Sequence, residues 1–109
     1  MPVRAIVHLL LHLALPALAA RVWYPVNWQR AWLVMMAGML VDLDHLFAQP
    51  IFDPDRCSIG FHPLHSPYAV AVYAALLAVP TLRMLAIGLL IHMFLDGVDC
   101  AWLRWGRGD

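Results

Sequence analysis

Ten side chains in this sequence combine residue types and spacings that suit a metal site: His8 and His12; Asp42, Asp44 and His45; His62 and His65; His92, Asp96 and Asp99. Imidazole and carboxylate are ordinary ligands for zinc, iron and manganese. A divalent metal is therefore the expected cofactor, zinc first, with manganese or iron as alternatives. On a helix, His8 and His12 share a face, as do His92 and Asp96, and Asp99 continues the second stripe three residues on. Asp42 and His45 also share a face, whereas Asp44 points away from Asp42 unless the helix end unwinds. Carboxylates gathered this way repel one another and take up protons unless a cation balances them.

The elements that would hold these groups are apolar. Of 109 residues, 63% are hydrophobic and 13% charged, which bounds the chain to one domain and makes lipid its expected solvent. Seven basic and seven acidic residues leave no net charge, and so no electrostatic footprint for nucleic acid. The expected fold is all-α, an up-down membrane bundle of about four helices over residues 1–109. The first runs from about Val3 to Ala20 and the second from an Asn27 cap to about Phe47. Pro50 and Pro54 forbid its continuation. The second, at about twenty residues, is long enough for a hydrocarbon core of roughly 30 Å. A polar loop spans 49–66, and its histidines argue for function. Ser66 as cap and Pro67 at the first helical position start a third helix that Pro80 stops after Val79. Thr81 can cap a fourth that ends near Trp105. Trp23, Trp28, Trp102 and Trp105 lie near helix ends, where indoles favour the membrane interface.

In this topology every candidate group falls toward one membrane face. Ionisable groups within a membrane cost at least about 2.5 kcal/mol each and turn toward the bundle interior. The basic residues do not orient the bundle: Arg4, Arg56, Arg104 and Arg107 lie on the site side, against Arg21, Arg30 and Arg83 on the other. The segment from Met1 to Ala20 has the outline of a cleavable signal, but His8, His12 and Pro16 suit a signal core poorly, so it is read as a retained helix. Cys57 and Cys100 either form a disulfide or remain small buried thiols.

Plainer readings exist for several of these residues. His8 or His12 alone suits a hydrogen-bonded interior role, and His62 an ordinary loop histidine. Asp53 and Asp55 suit turns. Asp99 can instead cap or pair with Arg104 or Arg56. Met35, Met36 and Met39 are expected to pack. For Asp44, His45, His65, His92 and Asp96 together, a purely structural reading needs five coincidences.

The order Asp42-Leu43-Asp44-His45, His62-Pro63-Leu64-His65-Ser66 and His92-Met93-Phe94-Leu95-Asp96, with an early histidine, resembles the YdjM-like family of membrane-bound metal-dependent hydrolases. That family is thought distantly similar to zinc-dependent phospholipase C and P1-type nucleases. The resemblance implies a site in a bacterial inner membrane, with His8 or His12, Asp44, His45, His65, His92 and Asp96 as ligands. The sequence departs from the family pattern at His62, which stands three residues before His65 where the family has a longer stretch, and in its two early histidines.

The expected function is a metal-dependent hydrolase acting on a phospholipid or other phosphoester at the membrane surface. A bound metal would lower the pKa of a coordinated water and polarise a phosphoryl oxygen. Asp42 would serve as ligand or general base and Arg56 would hold the anionic substrate. The rival is a non-catalytic metal-binding membrane protein, such as a carrier, sensor or assembly factor. Ligands gathered at one face argue against a transport path across the thickness. A third reading is a structural bundle whose polar residues satisfy one another. A homo-oligomer could shield the polar end.

Overall fold

The computed structural model describes residues 3–40 and 63–106. Among them are four helices and no strands: α1 (Val3–Trp23), α2 (Trp28–Met36), α3 (Pro67–Leu76) and α4 (Arg83–Gly106), with a 3-10 turn at Pro63–His65. Helices α1, α2 and α4 pack on one another, and α3 packs against α4.

Proline chemistry sets several of these boundaries. α1 extends three residues beyond the expected Ala20, because Pro25 is the next proline after Pro16, and it disfavours helix at Tyr24. Tyr24 still donates its N–H to the Ala20 carbonyl at 2.8 Å, closing the last turn. Pro16 lies inside α1, where it lacks an N–H and crowds the preceding turn. The Trp32 indole of α2 donates to the Leu13 carbonyl at 3.0 Å in that region, tying the two helices together where α1 is weakest.

Further expectations at helix ends need correction. Asn27 stands at the start of α2 but makes no side-chain cap bond. The α-helical part of α2 stops at Met36, and residues 37–40 tighten into a 3-10 turn. Gly38, a poor helix former, falls in that turn. Thr81 does not cap α4: it lies in a turn closed by Leu82 N–H to Val79 O, and Leu82 supplies the first carbonyl of the helix. By contrast, Ser66 accepts from Ala69 N–H at 3.2 Å and Pro67 occupies the first turn of α3. That helix ends at Leu76, three residues before the expected Val79. Its C-terminal Leu77 carbonyl accepts from Arg83 Nε at 2.7 Å, a favourable placement for a cation.

Small residues bring the helices together at the end opposite the histidines. Ala19 and Ala20 of α1 bury against Ala31 and Met35 of α2. A side-chain carbon added at Gly88 of α4 would stand 2.5 Å from Met35 Cα and 2.6 Å from its carbonyl oxygen. Only glycine permits this approach of α2 and α4. A second cluster, Tyr73, Leu89 and Met93, joins α3 to α4.

Two stretches, Ile6–Trp23 and Arg83–Trp105, are long and apolar enough to cross a membrane, with mean hydropathy 1.6 and 1.7. Only 17% and 39% of these stretches are buried within the protein, less than the core helix of a soluble domain would be. Leu9, Leu10, Leu13, Leu18 and Val22 on α1, and Phe94, Val98 and Trp102 on α4, are exposed.

Candidate metal centre

α1 and α4 run antiparallel, so their i, i+4 stripes meet turn by turn. From the outer end inward, Arg4 faces Asp99, His8 lies beside Asp99 and Asp96, and His12 meets Asp96. The 3-10 turn adds His65. It is held by Tyr73 of α3, whose hydroxyl donates to the Leu64 carbonyl at 2.8 Å. The Ser66 cap fixes the chain immediately after.

The centre is the Asp96 carboxylate. Its Oδ1 lies 3.2 Å from His8 Nε2 and 3.3 Å from His12 Nε2. Its Oδ2 lies 3.0 Å from His65 Nε2 and 3.1 Å from His92 Nε2. His65 and His92 also face each other, Nε2 to Nε2, at 3.2 Å. His12, His65, His92 and Asp96 are all buried, while the His8 side chain is 26% exposed.

The far nitrogens reveal where the electron pairs point. His12 Nδ1 donates to the His8 carbonyl at 2.8 Å, and His92 Nδ1 donates to the Met39 thioether at 3.2 Å. Thioether sulfur and carbonyl oxygen accept only. In the neutral ring each Nε2 therefore carries an electron pair, and it faces a carboxylate oxygen that also carries one. Asp96 Oδ2 is buried and accepts no hydrogen bond among the described residues. Protonating the His12 and His92 rings would instead set two positive charges beside one carboxylate in an apolar bundle, at a desolvation cost.

A cation between the atoms would remove the conflict. First-row divalent ions bind nitrogen at about 2.0–2.1 Å, which places neighbouring ligand atoms roughly 3.0–3.4 Å apart. The contacts within this cluster span 3.0–3.3 Å. Two donor sets result, His8–His12–Asp96 and His65–His92–Asp96, and the buried cluster could hold a metal ion. Fixed Nδ1–H donors are the usual device for orienting a ligand imidazole, although a thioether acceptor for His92 is unusual.

The structure thus brings together His8, His12, His65, His92 and Asp96. Asp42, Asp44, His45, Arg56, Cys57 and His62 lie outside the described residues. Asp99 pairs with Arg4 rather than with Arg104: Arg4 Nη1 donates to both carboxylate oxygens at 2.7 Å. Arg4, Met39 and Tyr73 are the supporting residues that sequence reasoning missed. Met39 had only the packing role, and Arg4 carries no local signal for a partner 95 residues away. Cys100, one residue beyond Asp99, is disulfide-bonded.

A model of one protein family matches residues 2–103, nearly the whole chain. The chain belongs to the DUF6122 family. The description of that family is a family of unknown function, so membership carries no activity. Nor does it connect the chain to the YdjM-like family, phospholipase C or P1 nuclease, and that likeness stays one of residue pattern. No curated protein and no solved structure matches the chain.

Proposed function

We propose that this DUF6122 member is a membrane-embedded, metal-dependent hydrolase that acts on a phosphoester at the membrane surface. The observation that carries the metal half is the Asp96 carboxylate: buried, shared by four imidazole nitrogens, and facing electron pairs with no hydrogen bond to Oδ2. Each carboxylate oxygen faces one pair of rings, so His8, His12 and Asp96 would hold one divalent ion and His65, His92 and Asp96 a second. Zinc is the first candidate from the donor set, with manganese and iron next. When bound, such ions supply Lewis acidity and an activated water at neutral pH.

The protein's own residues contribute orientation and shielding. His12 and His92 present Nε2 inward because their Nδ1 atoms are engaged elsewhere. The Tyr73 hydroxyl holds the turn that carries His65. His8, the most exposed ligand candidate among the described residues, marks the side from which a substrate would arrive. The hydrolytic half of the reading rests on the sequence pattern of Asp42, Asp44, His45, His65, His92 and Asp96. In that scheme Asp42 acts as ligand or general base, and Arg56 contacts the anionic group. The membrane half rests on the two long apolar helices and their exposed leucine, valine and aromatic side chains.

The enclosure of four of the five clustered residues favours a second reading, in which metal is held without turnover. Catalytic metal sites keep an open position, while structural ones are closed. Elemental analysis of purified protein after chelation and repletion, joined to anomalous scattering, tests the common ground. Stoichiometric metal at Asp96 is expected, and its absence would sink both readings. The His92→Ala variant separates them. It should lower phosphodiester or phosphomonoester turnover by at least about 100-fold, the scale of losing an essential catalytic group. Unchanged turnover would leave only the non-catalytic reading.

A further inference from the structure

The two donor sets around Asp96 are not supported alike. His65 and His92 lie deep, with relative exposures of 0% and 3%, and His12 is held by a backbone carbonyl within α1 itself. His8 differs. Its ring is the most exposed of the four, and its Nδ1 faces the Asp99 carboxylate, with Oδ1 at 3.8 Å. Asp99 is in turn gripped by Arg4, one turn N-terminal to His8, whose Nη1 lies 2.7 Å from each carboxylate oxygen.

We infer that Arg4 and Asp99 form a positioning pair that aims His8 through its Nδ1–H and so sets the affinity of the outer donor set, His8–His12–Asp96, without governing the inner one. The inference rests on the proposal that the Asp96 cluster binds two metal ions. A shift of about 1 Å brings Asp99 Oδ1 within hydrogen-bond range of His8 Nδ1. That contact makes a carboxylate–histidine–metal series, which fixes the tautomer, orients the ring and raises ligand basicity. Arg4 keeps the carboxylate in place. Without it, Asp99 would stand three residues from Asp96 on the same helix face, as a second negative charge beside the cluster. The outer ion is then the exchangeable one, and it lies on the exposed His8 side.

A plain tie between the ends of α1 and α4 is the other outcome that the following experiment separates. Purified full-length protein is titrated with cobalt(II), with site occupancy followed by visible absorption and by elemental analysis. The wild type is expected to bind two ions per chain. Asp99→Asn should weaken one of them about 10- to 100-fold and leave the other unchanged, the range for losing such a carboxylate partner. Asp99→Glu and Arg4→Lys should restore part of the lost affinity, while Arg4→Ala should not. A tie between helix ends would instead affect both ions equally or neither. Two unchanged affinities in Asp99→Asn overturn this inference alone, as does equal weakening of both or a wild type that binds a single ion. A wild type that binds no metal overturns the underlying proposal as well.

Discussion

At the end where α1 closes and α4 begins, Ala19, Ala20, Ala31 and Gly88 let helix backbones approach closely, and the contacts are apolar. At the opposite end, the space between α1 and α4 is filled by four imidazole rings around one carboxylate. The described residues hold no acidic side chain at the first end, while Asp96 and Asp99 both lie at the second. The first arrangement is held mainly by packing, with the Trp32–Leu13 hydrogen bond and Arg21 over the Trp28 ring beside it. The second leaves Asp96 Oδ2 buried and without a hydrogen bond among the described residues, and it could hold a metal ion. The small-residue end holds the helices together, and the histidine end is kept in register by it. Gly88 lies one turn from His92 on α4, so the close α2–α4 approach also sets where the inner ligand set falls.

The largest expected effect breaks the polar end. Asp96→Asn keeps the shape of the side chain and removes the shared negative charge, and it should abolish stoichiometric metal at both donor sets. Elemental analysis after dialysis checks this, and retention of two ions would show that Asp96 is not the common ligand. Metal-free Asp96→Asn should unfold at a temperature close to that of the metal-free wild type, because the cation-free cluster contributes little net stability.

Gly88→Ala should act in the opposite sense. The added carbon meets Met35 backbone atoms, which cannot yield as a flexible side chain would, so a loss of about 1–3 kcal/mol is expected. Thermal unfolding of the metal-free protein measures it. Unchanged stability would mean that α2 and α4 do not approach as closely as described. Ser66→Ala is the smallest of the three, at about 1 kcal/mol for the lost α3 cap. Because Ser66 follows His65 directly, it should weaken the inner donor set slightly and the outer one not at all. A larger effect on the outer set would contradict the division between them.

Much of the polar end was legible in the amino-acid order. Residues four apart on a helix share a face whatever surrounds them, so His8 with His12 and His92 with Asp96 could be placed before any packing was known. The start of α3 was legible for the same local reason, since Ser66 and Pro67 act on their own neighbours. The end of the α-helical part of α2 was less so. Hydrophobic residues continue past Met36, and only backbone geometry shows the tightening over residues 37–40.

Local spacing and composition determined the all-helical class, the two long apolar stretches and the gathering of histidines toward one end. Only the tertiary structure decided which partner each group meets. It set Arg4 against Asp99, gave Met39 to His92 and Tyr73 to the turn before α3, and brought Gly88 to Met35. Periodicity places a side chain on a face of its own helix. Which residue stands opposite depends on the register between helices, and that register is set by packing among residues far apart in the chain.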